Sequence, residues 1–182
     1  MKDKLIKIFI ETKNSCTVAR KGGLLGLSAC IVRDHIVVGT IGLKINPTTY
    51  NRKNPRLSAY MIKAQGLTLE EVQKYPDSNL QFKIFLEFLR THINNHEYYQ
   101  MITYSQRDGD FVEGWFMDNL VGFNPLFSDS SLNLKVLSSF FNAMGVHNTR
   151  DDNLSTLMEQ YKIEKSLESL HNLYRKMQRL MF

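Results

Sequence analysis

An α/β domain, with a mixed sheet flanked by helices and an extended C-terminal helix, is what the sequence predicts. Three observations lead there. Residues 4–11 (KLIKIFIE) are a nearly continuous apolar run, as expected of a central strand buried on both faces. Residues 24–32 (LLGLSACIV) and 36–45 (IVVGTIGLKI) are β-rich and separated only by Arg33-Asp34-His35, which reads as an antiparallel hairpin. The patterns then follow the order strand–strand–strand–helix–helix–strand–helix–helix–helix, the signature of a mixed sheet with helices on its faces.

After the first strand, Gly22-Gly23 supplies a turn, and Asn46-Pro47 ends the third strand. A polar loop over 48–55 leads into a helical stretch, 56–65, stopped by Gly66. Thr68 followed by Leu69-Glu70-Glu71 has N-cap chemistry for a short helix that Pro76 closes. Ser78 is expected to cap a longer helix whose Leu80, Ile84, Phe85, Phe88 and Leu89 share one face. Residues 98–104 (YYQMITY) form another core strand. A helix over 110–120 carries Trp115, the chain's single tryptophan. A helix over 132–144 has Leu134, Leu137, Phe140 and Phe141 inward and ends at Gly145. The last helix is expected to begin near Asp151 and run to the C-terminus. Its Ile163, Leu167, Leu170, Tyr174, Met177 and Met181 alternate at heptad spacing.

At 182 residues the chain is long enough for one domain with a filled core. Charged residues make up 23% and mean hydropathy is −0.28, which argues against disorder. No apolar run approaches the roughly 18–20 residues of a membrane helix, so no membrane partner is expected. The N-terminus lacks the apolar region and cleavage site of a secretory signal, and two cysteines, Cys16 and Cys30, read as thiols in a reducing compartment. The expected location is cytoplasmic, or virion and host cytoplasm for a phage-encoded chain. Net charge is +5 and the pI about 9.2, which favours anionic partners such as nucleic acid. The cations cluster at Arg20-Lys21, at Arg52, Lys53 and Arg56 around Tyr50, and at Arg175, Lys176 and Arg179. The second cluster is the candidate nucleic-acid contact, although such clusters are more often solvated faces than phosphate tracks.

Acids at strand ends or helix starts are the chemically informative ones, because a buried lone charge costs several kcal/mol unless paired. Glu11 ends the first strand, Asp108 follows the strand that ends at Tyr104, and Asp152 starts the last helix five positions after His147. Hydrolysis of a phosphodiester by metal ions needs such carboxylates around Mg²⁺ or Mn²⁺, with a base close by.

These residues fall in the order of a known family. Phe9-Ile10-Glu11-Thr12-Lys13-Asn14 resembles a strand ending Asp-x-Glu-Thr. Residues 65–72, reading Gln-Gly-Leu-Thr-Leu-Glu-Glu-Val, resemble a segment of the form His/Asn-Gly-Ile-Thr-x-Glu-x-Val, followed by Pro76 and an FxxFL-type helix at Phe85, Phe88 and Leu89. Residues 105–112 resemble the second acidic motif with Asp108 as its acid, and His147-x-x-x-x-Asp152 the third. From about Leu5 to Leu157 the chain resembles the ribonuclease-H-like 3′–5′ exonucleases of the proofreading type, the DEDD group with a catalytic histidine. The resemblance implies a ribonuclease-H-like, mixed five-stranded sheet and an exonuclease-like domain over 1–160, followed by a helical extension over 161–182. It implies metal ligands at Glu11, Asp108 and Asp152, His147 as the catalytic base, and a hint of phage or bacterial origin.

The first motif departs from the family at two positions. Glu11 stands where the family has Asp, and Lys13 where it has Glu. An ammonium cannot ligate Mg²⁺ and repels it; at roughly 4 Å and an effective dielectric near 20, each unit charge pair is worth about 4 kcal/mol. Lys13 is therefore a candidate to take the metal's place among Glu11, Asp108 and Asp152, unless it points to solvent and Asp34, Asp110 or Asp129 serves as a relocated acid. Two functions follow. One is a degenerate exonuclease with weak or no cleavage and no cofactor, binding nucleic acid or serving as a protein-interaction or assembly module through the C-terminal helix. The other is a working Mg²⁺- or Mn²⁺-dependent 3′–5′ exonuclease. A third reading, an unrelated fold, predicts that the four motif residues lie far apart.

Overall fold

The computed structural model describes residues 6–51, 54–93, 99–121, 132–143 and 154–179. Its sheet is built on β1 (Ile6–Asn14) at the centre, β2 (Leu24–Arg33) and β3 (Ile36–Lys44) on one side, and β4 (Tyr99–Thr103) and β5 (Leu132–Asn133) on the other, in the order β3-β2-β1-β4-β5. β1–β2 and β2–β3 are antiparallel; β1–β4 and β4–β5 are parallel. Among the described residues four strands are of full length. The fifth strand implied by the family is reduced to two residues, Leu132 and Asn133, which continue directly into a helix. The β2–β3 hairpin turns on Asp34 and His35, both at positive φ (50° and 67°), which matches the right-handed twist of the flanking strands.

The helices are α1 (Ala59–Ala64), α2 (Leu69–Gln73), α3 (Ser78–His92), α4 (Gln106–Asp118), α5 (Leu134–Ala143), α6 (Leu154–Gln160) and α7 (Ser169–Gln178). They cover both faces of the sheet. On one face Ile6, Ile8 and Ile10 of β1 pack with Phe82, Phe85 and Leu89 of α3 and Phe111, Val112, Trp115 and Phe116 of α4. On the other, Phe9, Cys30 and Val32 pack with Leu134, Leu157, Leu170, Leu173 and Met177 of α5, α6 and α7. This two-sided burial is why β1 reads as an unbroken apolar run rather than an alternating one.

Several local expectations are corrected. The helical stretch before Gly66 begins only at Ala59, with Ser58 as its cap. The cap of α3 is Asp77, not Ser78. Ser78 is fully buried, and its Oγ accepts the Trp115 indole N–H at 2.9 Å. Leu80 and Ile84 face outward, and Phe82 takes their place in the core. The helix carrying Trp115 starts at Gln106, four residues earlier than expected. The Thr68 cap forms as expected, with Glu71 completing a capping box.

The continuous C-terminal helix is also replaced. α6 ends in paired turn bonds, Ile163 N–H to Met158 C=O and Lys162 N–H to Glu159 C=O, with Lys162 at φ 54°. This is a Schellman termination built on a lysine where glycine is usual. α7 starts afresh at Ser169, and Leu170, Leu173 and Met177 bury against the chain's own sheet. Of the heptad seam, Leu170 and Met177 are thereby buried inside the fold, with Ile163 and Tyr174 packed partly buried against the same cluster. Cys16 and Cys30 are free and buried; burial pushes the Cys30 thiol up to about 12, which makes it inert as a nucleophile. Among the described residues no helix is long and apolar enough to cross a membrane.

Candidate functional site

The register of β1 against β4 assembles the site. The parallel pairing runs from Ile6↔Tyr99 to Ile10↔Thr103, so β1 overshoots its neighbour by Glu11 to Asn14. The chain leaving β4 turns into α4 at this edge. Ser105 caps α4, and Asp108 is the third helical residue, inside the helix rather than in the preceding turn. The two form a reciprocal capping box: Ser105 accepts from the Asp108 N–H, while Asp108 Oδ2 accepts from the Ser105 N–H at 3.0 Å and its O–H at 2.7 Å. Asp108 Oδ1 accepts from the Thr12 hydroxyl at 2.7 Å, and Thr12 in turn accepts from Asn14 Nδ2 at 2.9 Å. Asp108 is thus 7% exposed, with both oxygens engaged.

Strand alternation sends Thr12 toward α4 and Glu11 to the other face, with Phe9. Glu11 is half-buried, and its carboxyl is held above its ordinary value. Burial is the main cause; Lys165 opposes it, Asp108 adds to it, and Lys13 opposes it least. The structure therefore brings Glu11 and Asp108 within electrostatic reach of each other. It also reveals a cation that local patterns did not single out. Lys165 lies on the segment between α6 and α7, which crosses the sheet over the row Glu11–Ser28–Gly42. A side chain placed at Gly42 would lie 3.1 Å from Leu167 of that segment, so glycine there lets the segment lie close. Lys165 itself remains exposed.

Lys13 is exposed, and its stem lies alongside Gly26 of β2, 3.9 Å from where a β-carbon would stand, on the side of β1 away from β4. Arg56 is exposed at the same edge of the sheet as Glu11. Its backbone is tied there by Arg56 N–H to Lys21 C=O at 2.6 Å and by the Ser15 hydroxyl to Arg56 C=O at 2.9 Å. Nearby, Gln65 Nε2 donates to Asn14 C=O at 2.8 Å, while Asn14 Oδ1 and Gln65 Oε1 are buried acceptors without a partner among the described residues. Asp34 sits in the β2–β3 turn at the far end of the sheet, and Asp110 is an exposed residue that accepts from Gln106 at 2.9 Å. His147, Asp152, Arg52, Lys53 and Asp129 lie outside the described residues.

Two acids of the implied metal set, Glu11 and Asp108, act on each other electrostatically; Asp152 and His147 lie outside the described residues. Among the described residues no three His, Cys, Asp or Glu side chains converge. Asp108 caps its helix, and besides Asp108 the charges that act on Glu11 are those of Lys165 and Lys13. Such a site has a measurable stability signature. The folded chain holds the Glu11 proton more tightly than the unfolded chain, whose carboxyl keeps its ordinary value of 4.5. The group's contribution to stability therefore falls as pH rises from that value through the raised folded one, and the loss persists above it. Glu11→Gln is expected to melt above the parent near pH 7 and to lose that advantage below about pH 4. Equal melting curves at both pH values would reject the arrangement.

No protein-family model and no curated protein matches the sequence. Solved structures do match its fold. The nuclease domain of 3'hExo, a DEDDh family member bound to rAMP, superimposes with a TM-score of 0.66 at 14% identity, covering 97% of this chain and 92% of that one. A zinc-bound form of the E. coli ExoI–ssDNA complex gives 0.71 at 12% identity, with 97% of this chain on 39% of that one. Cell-death related nuclease 4 (CRN-4) gives 0.69 at 9% identity, covering 97% and 63%. The fold is that of the ribonuclease-H-like 3′–5′ exonucleases, as the motif order implied; identities this low establish the fold alone.

Proposed function

We propose that this exonuclease-fold chain has a retired metal site, cleaves weakly or not at all, and works by binding nucleic acid or a protein partner. The observation that carries this reading is the charge around Glu11. Glu11, the acid that the first motif retains, has Lys165 and Lys13 acting on it as well as the carboxylate of Asp108. A lysine pair at that position offsets the carboxylates without an ion and opposes entry of one. On this reading the segment over 161–168 acts as a built-in strap carrying the substitute cation, and 161–182 is a distinct extension of a domain over 1–160.

Among the fold neighbours, E. coli ExoI is seen with a dT13 oligonucleotide and, separately, with SSB-Ct. A nucleic-acid partner and a protein partner are thus both compatible with this architecture. For this chain, Arg52, Lys53 and Arg56 are the proposed nucleic-acid contact, and Arg56 is exposed at the end of the sheet where Glu11 lies. Because α7 buries Leu170, Leu173 and Met177, a partner of that helix would meet its outward basic side, Arg175, Lys176 and Arg179.

The test is incubation of the full chain with end-labelled single-stranded DNA and RNA in Mg²⁺ or Mn²⁺. The expected result is a gel shift without shortening of the label, reduced by Arg56→Gln. The second reading, a working exonuclease, draws on the closeness of Glu11 and Asp108 and would engage Asp152 and His147. Metal-dependent shortening that disappears in His147→Ala establishes it and ends the first.

A further inference from the structure

We infer that the cavity between the start of β1, the β2–β3 turn and α7 binds a phosphate group. It lies on the same face of β1 as Glu11 but four residues earlier in the strand, about 13 Å away at 3.3 Å per residue. It is therefore separate from the nuclease-type site. The space measures about 100 Å³, enough for a few waters or one small oxyanion. Its floor is Phe9, whose ring meets His171 at 5.2 Å and Tyr174 at 5.4 Å.

The wall carries positive groups from three elements: Lys7 on β1, His35 in the turn and Arg175 on α7. Lys7 Nζ is held 5.1 Å over the Tyr174 ring, which fixes its ammonium at the rim. Gln178 Nε2 donates to the Tyr174 hydroxyl at 2.8 Å, so that hydroxyl's own proton is available to a further acceptor. One carboxylate, that of Asp34, faces the same cavity.

The second, independent observation is His171. It lines the cavity, is only 4% exposed, and its Nδ1 is buried with no hydrogen-bond partner among the described residues. Native proteins rarely leave such an atom unpaired, and in the tautomer that carries the proton on Nδ1 a ligand acceptor supplies the missing partner. The electrostatics agree: burial first, then Arg175, His35 and Lys7, hold the imidazole below its ordinary value. An anion placed among those groups would offset their repulsion and raise it. A phosphate supplies several acceptor oxygens for a guanidinium, an ammonium, a tyrosyl hydroxyl and an imidazole N–H. Arg175 also borders a second hollow with Lys162, Lys176 and Arg179 and one carboxylate, Glu164, so a phosphate carried on a larger anion meets further cations there.

The test is NMR of the His171 ring in the full chain while inorganic phosphate is added at constant ionic strength. A saturable shift with a Kd of about 1 mM or tighter is expected, with a rise in the imidazole pKa, and chloride alone producing neither. Arg175→Gln and Lys7→Gln should each weaken binding by about tenfold, while Lys83→Gln on the opposite face leaves it unchanged. Two further arms identify the source. Tighter binding of a 5′-phosphorylated dinucleotide than of its 5′-hydroxyl form shows recognition of a nucleotide-borne phosphate; equal response to phosphate alone shows a free anion. His171 resonances that stay still, or that move as much in Arg175→Gln as in the parent, overturn the inference.

Discussion

Changing Lys13 to Glu and Lys165 to Ser together is expected to raise the affinity for Mn²⁺ by about a hundredfold over the parent chain. The double change restores the acid that the exonuclease motif carries at position 13 and removes the cation that most strongly opposes Glu11's raised pKa. It makes the neighbourhood three charges more negative, and a divalent ion feels each change twice. Contact pairs near a protein surface are worth about 4 kcal/mol per charge pair. Both lysines are exposed, so solvent and salt screen most of that. A residual gain near 3 kcal/mol corresponds to the hundredfold. Lys165→Ser alone should give part of the effect, because Lys165 outweighs Lys13 around Glu11. Calorimetric titration of Mn²⁺ into the four chains of this cycle measures it, and the assay on labelled DNA reads any recovered cleavage. A parent that already binds Mn²⁺ as tightly as the double variant sinks the idea of a retired site.

Trp115→Ala is expected to destabilise the fold by about 3–5 kcal/mol and to lower the melting temperature by roughly 10 °C. Trp115 is fully buried where α3 and α4 meet, edge-on to Phe82 at 5.1 Å and stacked on Phe85 at 5.9 Å. Removing it leaves a cavity that two helices anchored to the sheet cannot readily close. Ser78→Ala tests the polar half of the same contact. It deletes the acceptor of the buried indole N–H and should cost about 1–3 kcal/mol. Because the two residues share one hydrogen bond, their effects should not add, and the double variant should fall short of the sum. The consequence reaches the site, since α4 carries Asp108 at its first turn. Chemical denaturation of the three variants decides it; a loss under 1 kcal/mol for Trp115→Ala would mean that α3 and α4 are held by something else.

Much of this was legible along the chain. β1, β2, β3 and β4 announced themselves because apolar and β-branched runs are local properties, and the Thr68 cap because its partner Glu71 is three residues away. The order of the acidic motifs led to the right fold although identity to the matching structures is 14% or lower. What misled was equally local. The heptad seam at 163–181 is real as a pattern, but Lys162 breaks the helix in a left-handed conformation that nothing in its residue type foretells. Leu80 and Ile84 satisfied helical spacing, yet the sheet beneath α3 engages the stripe one residue round, at Phe82, Phe85 and Leu89.

Periodicity and motif order were enough to place Glu11 at a strand end and Asp108 close behind a neighbouring strand. They could not say what surrounds either acid. That Asp108 is consumed as a cap shared with Thr12, that Lys165 stands against Glu11 from roughly 150 residues away, and that His171 closes a cationic hollow on α7 are outcomes of folding. The reason is the range of the forces involved. Side-chain spacing is set by backbone geometry within a few residues, whereas charge, desolvation and packing act between any groups the fold brings together.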